Sequence, residues 1–317
     1  MKYYSKRIKI FIALFIVLLL NLLLPQITHL AQKGWSSLSG QSPAVPEVID
    51  PLVEYFTSPT LFVSNHILAY YGHPNSKYMG ILGRYSKTAL QKKLLTEAGN
   101  YDNTNGSKGV VPALYVIYAT VQPGGTLGYL NNKQLQSYID FTYSNKMLLY
   151  LDHQIGKYGP VNALKKLLPF LKYPHVHLAI DPEWRTDRPM KVVGHVTGPE
   201  LNQLQTIMHD YMATNKIKGI RQLVFHQFKY QMVRQRSKIH CDYSNVLLVH
   251  STSGWGPPKV KRSTHKFNSE ATNMPYKAFK LWYDPGMRAK GLHYDSPLMS
   301  PASVLSLQPQ PGLIIYQ

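Results

Sequence analysis

Cysteine is nearly absent from the sequence: a single residue, Cys241, occurs among 317. One cysteine cannot form an intramolecular disulfide, and it cannot supply a cysteine-rich zinc site. The chain is therefore not a disulfide-stapled secreted module. Cys241 follows a predicted helix and neighbours His240 only in sequence, so we interpret it as a structural residue.

Acidic residues are also scarce, with 16 Asp and Glu against 35 Lys and Arg and a formal net charge of +19. This charge favours anionic partners such as nucleic acid, anionic lipid or acidic wall polymers, although a basic surface alone accounts for it equally. No nucleic-acid-binding motif is present. The sequence also lacks H-E-x-x-H, P-loop, G-x-S-x-G and dinucleotide-loop motifs, so it predicts no cofactor and no metal.

The amino terminus contains the one long apolar run. Four basic residues precede a stretch from Ile10 to Leu24 that only Asn21 interrupts. This order is typical of an export signal, and the run is short for a membrane span of roughly 20 residues. We predict a signal peptide or signal anchor over 1–31, a linker over 32–60 and the folded domain over 61–317. The protein would then be extracellular, or anchored to the outer face of the cytoplasmic membrane.

From Leu68 onwards, strand-like runs alternate with helix-like segments. The eight runs are 68–73, 110–121, 147–154, 175–183, 221–228, 245–251, 278–283 and 312–316. Helices are predicted over 88–98, 131–145, 161–171, 198–215, 229–239 and 300–305, and long loops over 185–197 and 254–272. This alternation over about 250 residues predicts an α/β fold, namely a (β/α)₈ TIM-type barrel. An open doubly wound sheet is the alternative fold.

Carboxylates concentrate at the carboxyl ends of the predicted strands, where a barrel places its active site. Leu151 and Ile180 would face the helices, so Asp152, Asp181 and Glu183 would face inward by alternation. Paired carboxylates at such a site are typical of glycoside cleavage, with one acid and one base or nucleophile. The alternative for each is structural, because an Asp after a strand often begins a turn, and Asp152 could simply pair with Lys280.

Aromatic and polar side chains accompany these acids. Three of the four tryptophans lie at or just after strand ends, where indole rings could pack against sugar rings. Each of them could equally be a core residue. The predicted substrate-binding residues are Trp184, Trp255, Trp282, Tyr118, Gln154, His226 and Lys280. Another reading groups Asp152, Asp181, Glu183 and His226 as mixed metal ligands.

Several segments resemble a family of uncharacterised exported bacterial proteins, over about residues 65–317. They are H-L-A-I-D-P-E-W (177–184), L-V-F-H-Q-F (223–228), F-K-L-W-Y (279–283), P-L-M-S-P-A-S-V-L (297–305) and I-I-Y-Q (314–317). The resemblance implies a glycoside-hydrolase-like (β/α)₈ barrel. The chain lacks the D-x-x-D-x-D-x-E run of chitinase-like barrels. Its seventh strand ends in Tyr283-Asp284 where many retaining barrels have Glu, which puts a two-glutamate retaining mechanism in doubt.

The sequence therefore predicts an exported barrel hydrolase that acts on polysaccharide. Glu183 would be the general acid, and Asp152 is a better partner than Asp181, which is too close in sequence to flank the same bond. The alternative is a non-catalytic, surface-anchored protein that binds an anionic cell-wall polymer. A metal-dependent phosphoesterase is a third possibility. Neither the substrate nor the oligomeric state follows from the sequence.

Overall fold

The sheet of this protein closes on itself. The computed structural model describes residues 50–286 and 292–317. Within these residues, eight parallel strands pair in chain order, and the first strand also pairs with the last. The closed order confirms the (β/α)₈ barrel and shows that the open doubly wound sheet is wrong.

The elements alternate along the chain as the sequence predicted. The barrel strands are β1 (Asn65–Gly72), β2 (Gly109–Val121), β4 (Leu148–Gln154), β5 (Val176–Asp181), β7 (Arg221–Gln227), β9 (Val246–Thr252), β10 (Lys277–Leu281) and β11 (Leu313–Tyr316). Outside the barrel, β3 (Leu127–Tyr129) lies antiparallel to β2, and β6 (Val196–Thr197) pairs with β8 (Val233–Arg234). The helices are α1 (Pro51–Thr57), α2 (Lys87–Asp102), α3 (Asn132–Ser144), α4 (Pro160–Leu167), α5 (Gly198–Thr214), α6 (Pro258–Ser269) and α7 (Pro301–Leu305).

Alternate residues of each strand belong to two separate apolar layers. Leu149, Leu151 and Ile180 lie in the layer between strands and helices. Tyr150 and Ala179 lie in the layer that fills the barrel. This alternation follows from the pleat of a strand, and it confirms the predicted inward orientation of the residues that share a face with Tyr150 and Ala179.

A capping box fixes the start of α5 and the segment that follows β5. The Thr197 side chain accepts a hydrogen bond from the Glu200 backbone, and the Glu200 side chain accepts one from the Thr197 backbone. Reciprocal bonds of this kind satisfy two amides that a helix start would leave unpaired. Arg185 donates to both Glu200 carboxylate oxygens, at 2.8 and 3.0 Å. These hydrogen bonds connect the turn after β5 to the first turn of α5.

The helix predicted over 229–239 is wrong. The segment contains two short 3₁₀ turns (Tyr230–Met232 and Arg236–Lys238) with β8 between them. Met232 and Val233, at the junction of the first turn and β8, are both buried. Val233 pairs with Val196 of β6, a long-range contact that overrides the local helical pattern.

The loop predicted over 254–272 is also wrong, because α6 occupies most of it. The helix begins at Pro258, a favoured residue at the first helical position. Its buried face is formed by Lys261, His265 and Asn268. These residues have helical spacing but are polar, so the segment has no apolar periodicity that would reveal a helix.

Helix α1 closes the amino-terminal end of the barrel, and it lies in the span predicted as a linker. Phe56 of α1 is buried and its ring is 5.3 Å from that of His175, centroid to centroid. The predicted signal segment 1–31 and most of the predicted linker lie outside the described residues. Among those described, no helix is long and apolar enough to cross a membrane.

Candidate active site

Three inward side chains at the carboxyl ends of neighbouring strands form one buried cluster. Asp152 of β4, Asp181 of β5 and His226 of β7 each offer an atom within 4.8 Å of the others. The Tyr71 hydroxyl donates a hydrogen bond of 2.9 Å to Asp152 Oδ2, while Asp152 Oδ1 is buried without a partner. The cluster therefore includes a carboxylate oxygen that the described protein groups leave unsatisfied.

Strand register brings Asp181 and His226 together. Ile180 of β5 pairs with Phe225 of β7, so the next residue on each strand points into the barrel at the same height. His226 Nδ1 lies 2.5 Å from Asp181 Oδ1. On the other side of the ring, His226 Nε2 is 3.0 Å from the Tyr115 hydroxyl. Both ring nitrogens are thus engaged, which fixes the imidazole beside Asp181.

Glu183 and Asp181 form a carboxyl pair with opposite pKa shifts. Burial raises the pKa of Glu183 well above its ordinary value, and the Asp181 charge and a hydrogen bond between the two carboxyls raise it further. Burial also acts to raise the pKa of Asp181, but the His226 charge and hydrogen bonds from His226 and Glu183 outweigh burial and lower it. The pKa of Glu183 is thus shifted toward the protonated form and that of Asp181 toward the carboxylate. Two titratable groups whose pKa values are driven apart are a sign of assigned acid and base roles.

Asp152 and Lys280 complete the electrostatics of the cluster. Burial raises the pKa of Asp152 to about 7, and the Asp181 charge acts in the same direction. Burial lowers the pKa of Lys280 against the attraction of the nearby carboxylates. Lys280 Nζ lies 3.4 Å from the centroid of the Tyr71 ring. Among the described residues it makes no hydrogen bond or ion pair, so its link to Asp152 is electrostatic rather than a direct contact.

A metal ion would fit this cluster poorly. Asp152, Asp181 and His226 have the donor types that divalent ions use. However, a cation on Asp181 and His226 would have to break the close contact between Asp181 Oδ1 and His226 Nδ1. This contact speaks against the phosphoesterase alternative.

Trp255 and Trp282, two of the predicted substrate-binding residues, lie on the segments that follow β9 and β10. The ring of Trp282 lies 5.1 Å from Lys280 Nζ, and its Nε1 atom donates to the Ser253 carbonyl at 2.9 Å. Trp255 is 47% exposed and stacks on His293 with ring centroids 4.0 Å apart. An exposed, flat pair of rings at a barrel mouth offers a surface for a sugar ring.

The remaining predicted residues have other positions. Tyr118 lies on the outer face of β2, where its ring is 5.5 Å from that of Phe170. Gln154 is buried and accepts a 2.7 Å hydrogen bond from the Val121 amide, which joins the ends of β4 and β2. Trp184 is half-buried on the turn after β5. The structure therefore groups the acids, His226, Lys280 and Trp282, and leaves Tyr118 outside that group.

A buried ion pair that the sequence did not predict supports the ends of β9 and β10. Lys261 Nζ lies 3.2 Å from Asp295 Oδ2, and both side chains are 1% exposed. Lys261 also donates to the carbonyls of Gly254 and Lys280. Asp295 accepts from the Trp282 amide at 3.0 Å. The pair thus joins the backbone at Gly254, after β9, to the backbone at Lys280 and Trp282.

No protein-family model and no curated protein matches this sequence. Solved structures do resemble it, among them the GH18 chitinase ChiB of Flavobacterium johnsoniae, with 9% identity, a TM-score of 0.41 and coverage of 80% of this chain and 87% of that one. A chitinase of Rhizomucor miehei shows 10% identity, a TM-score of 0.42 and coverage of 78% and 93%. A GH113 β-1,4-mannanase shows 10% identity, a TM-score of 0.37 and coverage of 80% and 87%. The barrel itself is assigned from its strand pairing.

Proposed function

We propose that this protein is a glycoside hydrolase in which Glu183 is the general acid. The observation that supports this most is the Asp181–Glu183 carboxyl pair at the carboxyl end of β5, in which Asp181 is buried and Glu183 is half-buried with its Oε2 atom enclosed. Glycoside cleavage needs a carboxylic acid that stays protonated at neutral pH in order to protonate the leaving oxygen. Burial and the Asp181 charge shift the pKa of Glu183 in the direction that this role requires.

In this proposal, Asp181 raises the pKa of Glu183 and is not the nucleophile on the opposite side of the sugar. The two carboxyls share a hydrogen bond, whereas even the closest catalytic pairs stand about 5–5.5 Å apart to flank a glycosidic bond. His226 holds Asp181 ionised and in place. The proton reaches the leaving oxygen when the Glu183 carboxyl turns from Asp181 toward the substrate.

Asp152 lies deeper in the barrel than Asp181 and acts on the site through its charge. It pairs in register with Ala179, two residues before Asp181, and its side chain is fully buried. Its Tyr71 hydrogen bond and its depth keep it from direct contact with a bound sugar. The group that attacks the sugar is then water or the substrate itself, as in substrate-assisted families.

The rings of Trp282 and Trp255 provide the surface on which the sugar lies. Trp255 follows β9 and Trp282 follows β10, so both lie at the same end of the barrel as Glu183. The predicted export of the chain would bring this site to extracellular polysaccharide.

The function is tested by incubating the full chain with bacterial and plant polysaccharides, including chitin, β-1,4-mannan and pectin. We expect release of reducing ends from at least one polymer, with an activity that falls as the pH rises through the pKa of Glu183. The anomeric configuration of the first product, read by NMR, gives the stereochemistry. Glu270→Gln, on an exposed helix end, is the matched control. Absence of release across the panel would count against hydrolysis.

A further inference from the structure

A second concave site lies on the outer side of the barrel, between β3 and α4. Its cavity has a volume of about 470 Å³, within the range of small-ligand sites. Among the residues that line it are Tyr129, His153, Tyr158, Asn162, Lys165 and Lys166. None of the described residues that line it is acidic. The cavity is thus aromatic on two sides and basic along α4.

His153 gives this cavity an unsatisfied hydrogen-bond acceptor. It follows Asp152 on β4 and therefore points to the opposite face of the sheet. Its Nδ1 atom donates to the Gln154 carbonyl at 2.6 Å. Burial lowers the pKa of His153 to about 4, so the ring is neutral and Nε2 has a free lone pair. His153 is 1% exposed, and its Nε2 has no partner in the described protein.

We propose that this cavity binds an anionic sugar unit of a polysaccharide. A sugar hydroxyl would donate to His153 Nε2, which accepts and cannot donate. The rings of Tyr129 and Tyr158, each more than 40% exposed, would pack against the sugar ring. Lys165 and Lys166 would pair with its carboxylate or phosphate.

The cavity lies at the same end of the barrel as Glu183. The segment between β4 and α4 belongs to both regions: its Tyr158 lines the cavity, and its Gly156 amide donates to the Trp184 carbonyl at 2.8 Å. One polymer chain could therefore reach both sites. The binding proposal goes beyond hydrolysis and does not require it.

Binding is measured by isothermal titration calorimetry with the full-length Glu183→Gln variant, so that cleavage cannot interfere. Trigalacturonic acid is compared with neutral galactotriose, and galactose 6-phosphate with galactose, which separates carboxylate from phosphate as the preferred anion. We expect at least one anionic probe to bind at least threefold more tightly than its neutral counterpart, with an affinity that falls as salt rises.

The site is assigned with paired lysine variants. The double variant Lys165→Gln/Lys166→Gln should bind the anionic probe at least threefold more weakly, since it loses two exposed ion pairs with the anion. Lys92→Gln with Lys93→Gln, an adjacent exposed pair on α2, makes the same charge change elsewhere and should leave affinity unchanged. Equal losses in the two double variants, or no preference for either anion, would overturn the proposal. Hydrolysis without such binding, or such binding without hydrolysis, separates this proposal from the proposed function.

Discussion

Replacing Glu183 by Gln is expected to lower kcat about 10²–10⁴-fold on whichever polysaccharide the wild type cleaves, the usual contribution of a general acid. The amide has the size of the acid and can still donate a hydrogen bond to Asp181, but it has no proton to transfer. We expect KM to change little, because the lost interaction belongs to the transition state. Steady-state kinetics measure both constants.

Stability separates a chemical role of Glu183 from a structural one. The Gln variant should keep the wild-type free energy of unfolding in urea, because its shape and its contact with Asp181 are preserved. Wild-type kcat in a folded Gln variant would remove Glu183 from the chemistry. A large loss of unfolding free energy would indicate that Glu183 is a structural residue.

Replacing Lys261 by Met should lower the free energy of unfolding by about 3–5 kcal/mol, the usual cost of leaving one member of a buried ion pair without its partner. Asp295 would stay buried, and the carbonyls of Gly254 and Lys280 would lose their donor. Urea unfolding followed by tryptophan fluorescence measures the change. Lys259→Met on the exposed side of the same helix is the control and should have little effect.

A double variant shows that the effect belongs to the pair. Lys261→Met with Asp295→Leu removes both charges, and apolar replacement of a whole buried pair is often tolerated. We expect this double variant to be more stable than Lys261→Met alone. A loss below about 1 kcal/mol in Lys261→Met, or strict additivity of the two changes, would contradict the assigned role.

Much of the fold follows from sequence because the periodicity of the strands is strong. The runs around Tyr150 and Ala179 alternate between two apolar layers, and their boundaries agree with the sequence to within a few residues. The same alternation places Asp152 and Asp181 inward, but the predicted strand is two residues too long, because β5 ends at Asp181 and Glu183 lies in a 3₁₀ turn (Pro182–Trp184). Local sequence sufficed there because successive side chains of a strand point to opposite faces, so the apolar pattern alone shows which residues face inward.

The sequence indicated that Asp152, Asp181 and His226 could meet at one end of the barrel, but their individual contacts depend on the register of neighbouring strands and could not be predicted. Nothing near Asp181 in sequence indicates that His226 lies 2.5 Å away, since this depends on the register of β5 and β7. Lys261 lies in a run that looks like a solvated basic loop. It is buried because Asp295, distant in sequence, and two backbone carbonyls satisfy its charge.

The protonation state of Glu183 tests the central claim most directly, because it needs no known substrate. The chain has only six glutamates, at positions 47, 54, 97, 183, 200 and 270, so ¹³Cδ-labelled glutamate gives an NMR spectrum that Glu183→Gln can assign. We expect the Glu183 signal to be that of a protonated carboxyl at pH 7. Its pKa should fall in Asp181→Asn, because the neighbouring negative charge is gone. A Glu183 signal that is already a carboxylate at pH 7 would contradict its role as the acid.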